Sequence, residues 1–283
     1  MKEILFNDLP RYINWIKHTL SRRDFAIKYK TEEEVIREYD NEKWGGLLEK
    51  VKKSLNPSLE EVEIESNSFD QVSPFFIRGK FYLGLGEEIA DAHLELYRKT
   101  ISPYINQASC LVELGAGFGS KILNLSQFNE FNELPLYAAE YTKNGCELIS
   151  ILSKTINKKV SIGQCDFRKL EISGIEIPKN AIIFTSYSVH YVPHLSNDFI
   201  KFLSNLNPLV VIHFEPCYEH YSVKTLHGLL CRRYIESNDY NRNIISVIDS
   251  AKKDKKISVK MKNNIIGSNP FLPISVIEWI IKQ

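Results

Sequence analysis

The 283-residue sequence has almost no net charge, no cysteine pair at C-x-x-C spacing and no long apolar run. With 36 Lys and Arg against 35 Asp and Glu, its net charge of +1 creates no global field that would recruit nucleic acid or an anionic membrane. The five cysteines are odd in number and scattered, which predicts reduced thiols. No segment approaches the roughly 18 apolar residues of a membrane span, and the first residues lack the apolar core of a signal peptide. We therefore expect a cytoplasmic protein without a membrane partner.

One turn carries glycine at every second position. An apolar run leads into Gly115, Gly117 and Gly119, and a helical pattern follows over residues 121–125. This order of strand, tight turn and helix is typical of a nucleotide-type cofactor site at the carboxyl edge of a parallel sheet. The spacing differs from the G-x-G-x-x-G of dinucleotide sites. Glu113, two positions before the first glycine, would repel a pyrophosphate but suits a cationic ligand.

The E-x-G-x-G-x-G form of this turn resembles motif I of the class I S-adenosylmethionine-dependent methyltransferases. Their cofactor carries an ammonium and a sulfonium group and no phosphate, which agrees with the acidic residue before the turn. Later elements match the family in order: apolar strands end at Glu140 and Asp166, and a fourth strand over residues 180–192 runs into a loop. The resemblance covers residues 105–283. It implies a doubly wound α/β fold with a mostly parallel, seven-stranded sheet whose last strand is antiparallel.

The resemblance also implies a place for each part of S-adenosylmethionine. Glu140 would bond the ribose hydroxyls, Tyr141 would pack on the adenine, and Asp166 would bond the adenine amino group beside Phe167. The expected cofactor-binding residues are Glu113, Gly115, Ala116, Gly117, Gly119, Glu140, Tyr141, Asp166, Phe167 and Ser186.

Methyl transfer asks little chemistry of the protein, because the sulfonium already carries the reactive methyl group. The protein still has to align the acceptor with the methyl group, exclude water from the site and remove a proton from the acceptor. His190 lies just past the fourth strand and is the expected base, since a neutral imidazole accepts a proton near pH 7. A hydrogen bond within the loop is its alternative role. Tyr191 and Glu215 are the other expected catalytic residues.

The acceptor is expected to meet residues from several parts of the chain. The expected substrate-binding residues are Arg78, Tyr82, Tyr187 and Glu219. Glu215 and Glu219 follow the fifth strand, and their carboxylates would suit a cationic acceptor such as an amine or a guanidinium. The tyrosines would line the methyl site, or alternatively pack beneath the N-terminal region.

Two alternative functions stay open. Histidines, carboxylates and a thiol after the fourth and fifth strands are numerous enough to hold a divalent metal: His190, His194, His213, Glu215, Cys217 and His220. Their spacing matches no known metal motif, so we predict no metal and keep a metal-assisted methyltransferase as one alternative. The other is a non-catalytic regulatory or partner protein that binds S-adenosylmethionine.

The charge pattern bears on the acceptor. The only dense basic run spans residues 252–256, and a solvated loop explains it, so no nucleic-acid partner is expected. The sequence therefore predicts a small-molecule or peptide acceptor that is methylated on oxygen or nitrogen. It leaves room for a homodimer.

Residues 1–104 are expected to form a helical cap that covers the acceptor site, next to a methyltransferase domain of residues 105–283. Apolar residues recur at helical spacing along one face: Leu9, Tyr12, Ile13, Ile16 and Leu20. The aromatic and basic stretch 73–82 would be a hydrophobic clamp, or alternatively would lie over the cofactor and bring Arg78 or Lys80 to a carboxylate. Near the other terminus, residues 256–262 and 273–280 predict the sixth and seventh strands, with a turn at 269–271 between them.

Overall fold

The computed structural model describes residues 1–16, 27–55, 57–67 and 70–282, and within these ranges the chain forms one mixed sheet of eleven strands. The strands in chain order are β1 (Lys2–Ile4), β2 (Val72–Ile77), β3 (Lys80–Leu85), β4 (Leu111–Leu114), β5 (Leu136–Glu140), β6 (Val160–Asp166), β7 (Glu171–Ser173), β8 (Ile182–Ser186), β9 (Val210–Pro216), β10 (Ile257–Gly267) and β11 (Ile274–Ile281). Their order across the sheet is β1-β3-β2-β10-β11-β9-β8-β4-β5-β6-β7.

The helices of the same ranges lie between these strands. They are α1 (Glu32–Val35), which continues through a π-helical segment (Ile36–Trp44) into α2 (Gly45–Lys53), then α3 (Leu59–Asn67), α4 (Gly86–Ile101), α5 (Ser120–Leu125), α6 (Lys143–Thr155), α7 (Phe199–Ser204), α8 (Leu226–Ser237) and α9 (Ile244–Lys253). No helix in the described part of the chain combines the length and the apolar character that crossing a bilayer requires.

The centre of the sheet is parallel and buried on both faces. β4 pairs in parallel with β5 and β8, and the parallel pairing continues outward to β6 and β9. Successive strand residues face opposite sides, so Leu111 packs in one core with α4, α5 and α6, whereas Val112 packs in the other with α7 and α9. Burial on both faces explains why these strands are continuous apolar runs.

The sheet corrects the predicted strand count and direction. Eleven strands replace seven, and among the described residues six of the ten neighbouring strand pairs are antiparallel, so a mostly parallel sheet is wrong. The predicted antiparallel last strand is present, because β11 runs antiparallel to both β9 and β10. The added strands lie at the two ends, with β7 on one side and β1, β3 and β2 on the other.

The N-terminal region is not the purely helical cap that its periodicity suggested. β2 and β3 form a hairpin whose two-residue turn is Arg78 (φ 46°) and Gly79 (φ 86°), and positive φ at both positions is the geometry that joins twisted antiparallel strands. β2 then pairs with β10, at Ile77 and Ile266, which carries the hairpin into the sheet. Of the apolar residues predicted on a helical face, Leu20 lies outside the described residues.

Candidate functional site

A cavity of about 1020 Å³ lies where β4, β5, β6 and β8 end, at the carboxyl edge of the parallel strands. This volume is at the upper end of the range for small-molecule sites. The residues expected to bind the cofactor that line it are Gly115, Ala116, Gly117, Glu140, Tyr141, Asp166, Phe167 and Ser186. The structure therefore brings together, at one edge of the sheet, residues from four separate strand ends.

The glycine turn has a backbone shape that other residues adopt only with strain. Gly115, Gly117 and Gly119 have φ values of 72°, 58° and 84°. A Cβ atom on Gly115 would lie 2.4 Å from Cβ of Ser188, so the loop after β8 could not keep its place. Gly119 is the N-cap of α5 and is not among the residues that line the cavity.

Glu113 is a structural residue in this fold and does not line the cavity. Its side chain is fully buried, and one carboxylate oxygen accepts a hydrogen bond of 3.1 Å from the amide of Ile122 in α5. Burial raises the pKa of Glu113 to about 7, against the partial opposing effect of the Lys121 charge. Glu113 thus ties β4 to the helix that follows the turn.

Glu140 holds the glycine turn from the neighbouring strand. Its Oε2 accepts a hydrogen bond of 2.8 Å from the amide of Gly117, and its Oε1 accepts from the amide (3.1 Å) and the hydroxyl (2.9 Å) of Thr142. Burial raises the pKa of Glu140, although these hydrogen bonds oppose the shift. Asp166, at the end of β6, accepts from the amides of Arg168 and Lys169 and lines the same cavity.

The loop after β8 is folded around one buried carboxylate. Glu215, at the end of β9, accepts hydrogen bonds from the amides of Ser188 (3.0 Å) and Val189 (3.1 Å) and from the Ser188 hydroxyl (3.3 Å). Tyr187, at the start of this loop, has a φ of 49°, a left-handed conformation that is rare for a bulky residue and is held here by the surrounding contacts.

His190 lies in the cavity wall, and Glu215 lies behind it. The Glu215 carboxylate is 3.5 Å from Nδ1 of His190, and their side chains are 1% and 2% exposed. Burial lowers the pKa of His190, partly offset by Glu215, so the imidazole is neutral at pH 7. Tyr191 and Tyr240 pack on its ring, with centroids 4.0 Å and 4.6 Å away. Glu215 itself does not line the cavity, which corrects its expected role as a ligand for a cationic acceptor.

The π-helical segment Ile36–Trp44 covers the glycine turn, which the sequence analysis did not foresee. Trp44 packs against Phe118 with ring centroids 5.4 Å apart, and a Cβ atom on Gly117 would lie 3.2 Å from the indole. The Tyr39 hydroxyl is hydrogen-bonded to that of Tyr191. The segment is fixed to α6 by Asp40, which accepts a hydrogen bond of 2.9 Å from the amide of Asn144. Helical spacing alone gives no signal for this docking.

Three residues expected to bind substrate lie elsewhere. Arg78 is at the tip of the β2–β3 hairpin, and Tyr82 stacks on Phe75 within that hairpin. Glu219 accepts hydrogen bonds from the amides of Ile245 (3.1 Å) and Ser246 (2.8 Å), so its carboxylate caps the start of α9. Of the four expected substrate residues, only Tyr187 lines the cavity.

The histidines of the metal alternative are engaged in other contacts. His213 is bonded to the hydroxyl of Thr185 and accepts from the indole of Trp279, and His220 is bonded to the hydroxyl of Ser275. Within the described ranges, no three His, Cys, Asp or Glu side chains are grouped so that they could hold a metal ion.

Cavity residues that the sequence analysis missed come from segments far apart in the chain. They are Lys43 and Trp44 from the π-helical segment, His93 and Tyr97 from α4, Lys121 from α5, Tyr234 from α8, Tyr240 from the loop after α8, and Asn269 and Leu272 from the β10–β11 turn. Lys121 could have been predicted to line the cavity, because it follows the glycine turn closely in the sequence. The others come together only through tertiary packing.

Solved structures match this architecture, whereas neither a family model nor a curated protein matches the sequence. The magnesium protoporphyrin IX methyltransferase ChlM from Synechocystis PCC 6803, with bound SAH, is 12% identical with a TM-score of 0.51, over 89% of this chain and 100% of that one. The small RNA methyltransferase HEN1 is 16% identical with a TM-score of 0.50, over 69% of this chain. The match spans only 25% of the HEN1 chain.

The same ChlM protein with bound SAM matches at 10% identity with a TM-score of 0.50, over 89% of this chain and 98% of that one. Identities this low establish a shared fold. The chain has the α/β fold of the class I S-adenosylmethionine-dependent methyltransferases, as the E-x-G-x-G-x-G turn implied.

Proposed function

We propose that this chain is a methyltransferase that uses S-adenosylmethionine and acts on a small-molecule or peptide acceptor, at oxygen or nitrogen. The observation that carries the proposal is the cavity at the strand ends, where the glycine turn, Glu140 and Asp166 meet the loop of His190. A shared fold alone does not define a function, so the proposal is argued from these residues.

Glu140 and Asp166 are suited to the nucleoside part of the cofactor. Each carboxylate oxygen has two lone pairs, and Glu140 accepts two hydrogen bonds through Oε1 and one through Oε2, so Oε2 retains acceptor capacity for one ribose hydroxyl. Asp166 accepts two amide hydrogen bonds through Oδ1, and Oδ2, whose ion-pair partner is the exposed Lys169 at 3.5 Å, keeps acceptor capacity for an adenine amino group beside Phe167. We place the ribose at Glu140 and the adenine at Asp166.

Two lysines suit the carboxylate of the methionine part. Lys43 and Lys121 both line the cavity next to the glycine turn. The ammonium of Lys43 lies over the Trp44 ring, 4.7 Å from its centroid. Desolvation and then the charge of Lys121 lower the pKa of Lys43, so a bound carboxylate would relieve the repulsion between these lysines.

The cavity wall as a whole carries more negative than positive charge. Its carboxylate residues are Glu60, Glu63, Asp70, Glu87, Asp91, Glu140 and Asp166, and its basic residues are Lys43, Lys121 and Arg168. An excess of carboxylates suits a cationic cofactor and opposes the phosphate backbone of a nucleic acid. This charge balance favours the small acceptor over an RNA acceptor of the kind named for HEN1. The homodimer that the sequence left open has no support in the contacts of this chain.

When bound, the cofactor supplies an electrophilic methyl group on sulfur. His190 is the proposed base: its Nδ1 faces Glu215, so its Nε2 is the nitrogen left to take the acceptor proton. Glu215 orients the imidazole and stabilises the imidazolium that forms. Tyr191 and Tyr240 hold the ring in place and exclude water from it.

Calorimetric titration with S-adenosylhomocysteine tests the cofactor site. We expect saturable binding by the native protein, and an affinity at least tenfold weaker for Glu140→Gln, which loses charge-assisted hydrogen bonds worth about 1.5–3 kcal/mol each. Glu219→Gln is the matched control and should bind like the native protein. Absence of binding, or equal affinity of Glu140→Gln and native protein, contradicts the proposal. Binding by a protein that transfers no labelled methyl group to any small-molecule fraction would favour the non-catalytic alternative.

A further inference from the structure

Part of the cavity wall around Tyr187 is formed mostly by apolar and aromatic side chains. It consists of Ile89, His93, Tyr97, Tyr187, Tyr234 and Leu272, and we name it the acceptor chamber. Tyr187 joins it to the loop of His190, because the ring centroids of Tyr187 lie 6.0 Å from those of both His93 and His190. When His93 is neutral, none of these six side chains carries a charge.

His93 presents an unprotonated nitrogen to the chamber. Its Nδ1 lies 2.9 Å from the carbonyl oxygen of Ile89, and a carbonyl only accepts, so Nδ1 carries the proton. Burial lowers the pKa of His93 to about 4, so the ring is neutral at pH 7. Nε2 is therefore a hydrogen-bond acceptor with a fixed direction.

The Tyr187 hydroxyl lies between Nε2 and a second acceptor atom. It is 3.5 Å from Nε2 of His93 and 3.4 Å from the carbonyl oxygen of Leu272. Both distances are long for hydrogen bonds, and one hydroxyl proton serves only one of the two acceptors. One of these two acceptor atoms is therefore left without the Tyr187 proton, and a ligand with a donor group complements it.

We propose that the acceptor chamber binds the methyl acceptor, that this acceptor is a neutral aromatic compound bearing a hydroxyl group, and that Nε2 of His93 accepts a hydrogen bond from that hydroxyl. The aromatic walls suit a flat ring. The six side chains of the chamber include no carboxylate, although Glu87 and Asp91 of α4 also line the cavity, and an ammonium group buried without a carboxylate partner is unfavourable. His93 is a substrate-positioning residue here: the hydroxyl that it binds is a different group from the atom that is methylated, and His190 stays the proposed base for that atom. The inference rests on the proposed function, since it concerns the acceptor of the same reaction.

Fragment binding tests this inference without knowledge of the natural acceptor. The probes are phenol, methoxybenzene and benzylamine, titrated into the native protein in the presence of S-adenosylhomocysteine and again without it, with the imidazole ¹⁵N signals followed by NMR. We expect phenol to bind about three- to tenfold more tightly than methoxybenzene, the effect of one neutral hydrogen bond, and to shift the Nε2 signal of His93. Benzylamine should not bind in the chamber.

Three variants make the test specific. His93→Phe should lose the preference for phenol, and His93→Gln, whose amide both donates to Ile89 and accepts, should keep part of it. His227→Gln, which replaces another largely buried histidine that packs on Phe76 and lies outside the cavity wall, should keep all of it. Equal binding of phenol and methoxybenzene, or an unchanged preference in His93→Phe, overturns the inference. Failure of the cofactor site would appear separately, as loss of S-adenosylhomocysteine binding with phenol binding retained.

Discussion

The carboxylate of Glu215 lies 3.5 Å from the imidazole of His190, and both side chains are almost completely buried. Burial acts to raise the pKa of Glu215, but the contacts from His190 and from the amides of Ser188 and Val189 outweigh it and lower that pKa. An ionised Glu215 thus faces a neutral histidine. The carboxylate organises the whole loop after β8, and the position of the proposed base depends on it.

Glu215→Gln should destabilise the protein, because it removes the charge that the amides of Ser188 and Val189 face and replaces Oε2, 3.2 Å from the Ser188 amide and 3.5 Å from Nδ1 of His190, with an NH₂ group that cannot accept. Each lost charge-assisted hydrogen bond is worth about 1.5–3 kcal/mol. A lowered folded pKa also means that Glu215 stabilises the fold above its ordinary value of 4.5 and loses that effect as the pH falls through the folded value. Urea unfolding at pH 7 and at pH 4 measures both effects. Exposed Glu171→Gln is the control, and a variant as stable as the native protein would show that the loop does not depend on this carboxylate.

His213 should lower the free energy of unfolding as the solution becomes more acidic. Its Nε2 accepts from the indole of Trp279 and its Nδ1 donates to Thr185, so the folded state holds it neutral, and burial lowers its pKa to about 4. The unfolded chain binds a proton near 6.5 that the folded chain does not, so the free energy of unfolding should drop by roughly 1–2 kcal/mol from pH 6.5 to pH 5. In His213→Gln that slope should shrink by the contribution of one proton. An unchanged slope would mean that the folded state protonates His213.

Gly115 should not tolerate a side chain, whereas Gly46 should. Gly115→Ala combines positive φ with a Cβ atom 2.4 Å from Cβ of Ser188, so we expect a loss of at least about 1 kcal/mol and of cofactor affinity. Gly46 lies in α2 with no atom within 4 Å of an added Cβ, and Gly46→Ala should stabilise the protein by roughly 0.5–1 kcal/mol. Urea unfolding and calorimetry with S-adenosylhomocysteine measure the pair. Two variants with the same sign of effect would contradict the geometry of the turn.

Lys43 should recognise the amino-acid end of the cofactor and not its nucleoside. Lys43→Met keeps the apolar contact with Trp44 and removes the charge, so it should weaken binding of S-adenosylhomocysteine severalfold and leave binding of 5′-methylthioadenosine unchanged, since the latter has no carboxylate. Lys52→Met, at an exposed lysine paired with Glu147, is the control. Equal losses for the two ligands would place Lys43 elsewhere in the site.

The part of the cavity at the strand ends, where we propose that the cofactor binds, could be predicted from sequence because its parts are local. Each strand end and the turn after it lie within a few residues, and parallel strands bring their carboxyl ends to one edge, so Gly115, Glu140 and Asp166 converge in the structure. The role of Glu219 could not be predicted, because it depends on a contact between distant segments. Glu219 lies far before α9 in the sequence and meets the amides of Ile245 and Ser246 only in the fold, so its sequence neighbours do not mark it as a helix cap.

The remaining parts of the sheet and of the cavity could not be predicted, because they depend on contacts between segments that are distant in the sequence. The β2–β3 hairpin could be found from its Arg78–Gly79 turn between apolar runs, but its attachment to β10 could not, because no periodicity reports which edge a hairpin joins. Two other features also depend on contacts between distant segments. One is the docking of the segment Ile36–Trp44 over the glycine turn, and the other is the meeting of α4 with the β10–β11 turn. The acceptor chamber is built from these contacts, which is why the acceptor was the least predictable part.

The pairing of β2 with β10 has a consequence for how the protein is made. A ribosome releases the β2–β3 hairpin well before residues 257–267, so the hairpin edge that joins β10 is without its partner until those residues are made. Contacts this distant in sequence slow folding, and an open strand edge pairs with other chains when its own partner is missing. The wider sheet therefore exposes each newly made chain to aggregation until β10 emerges.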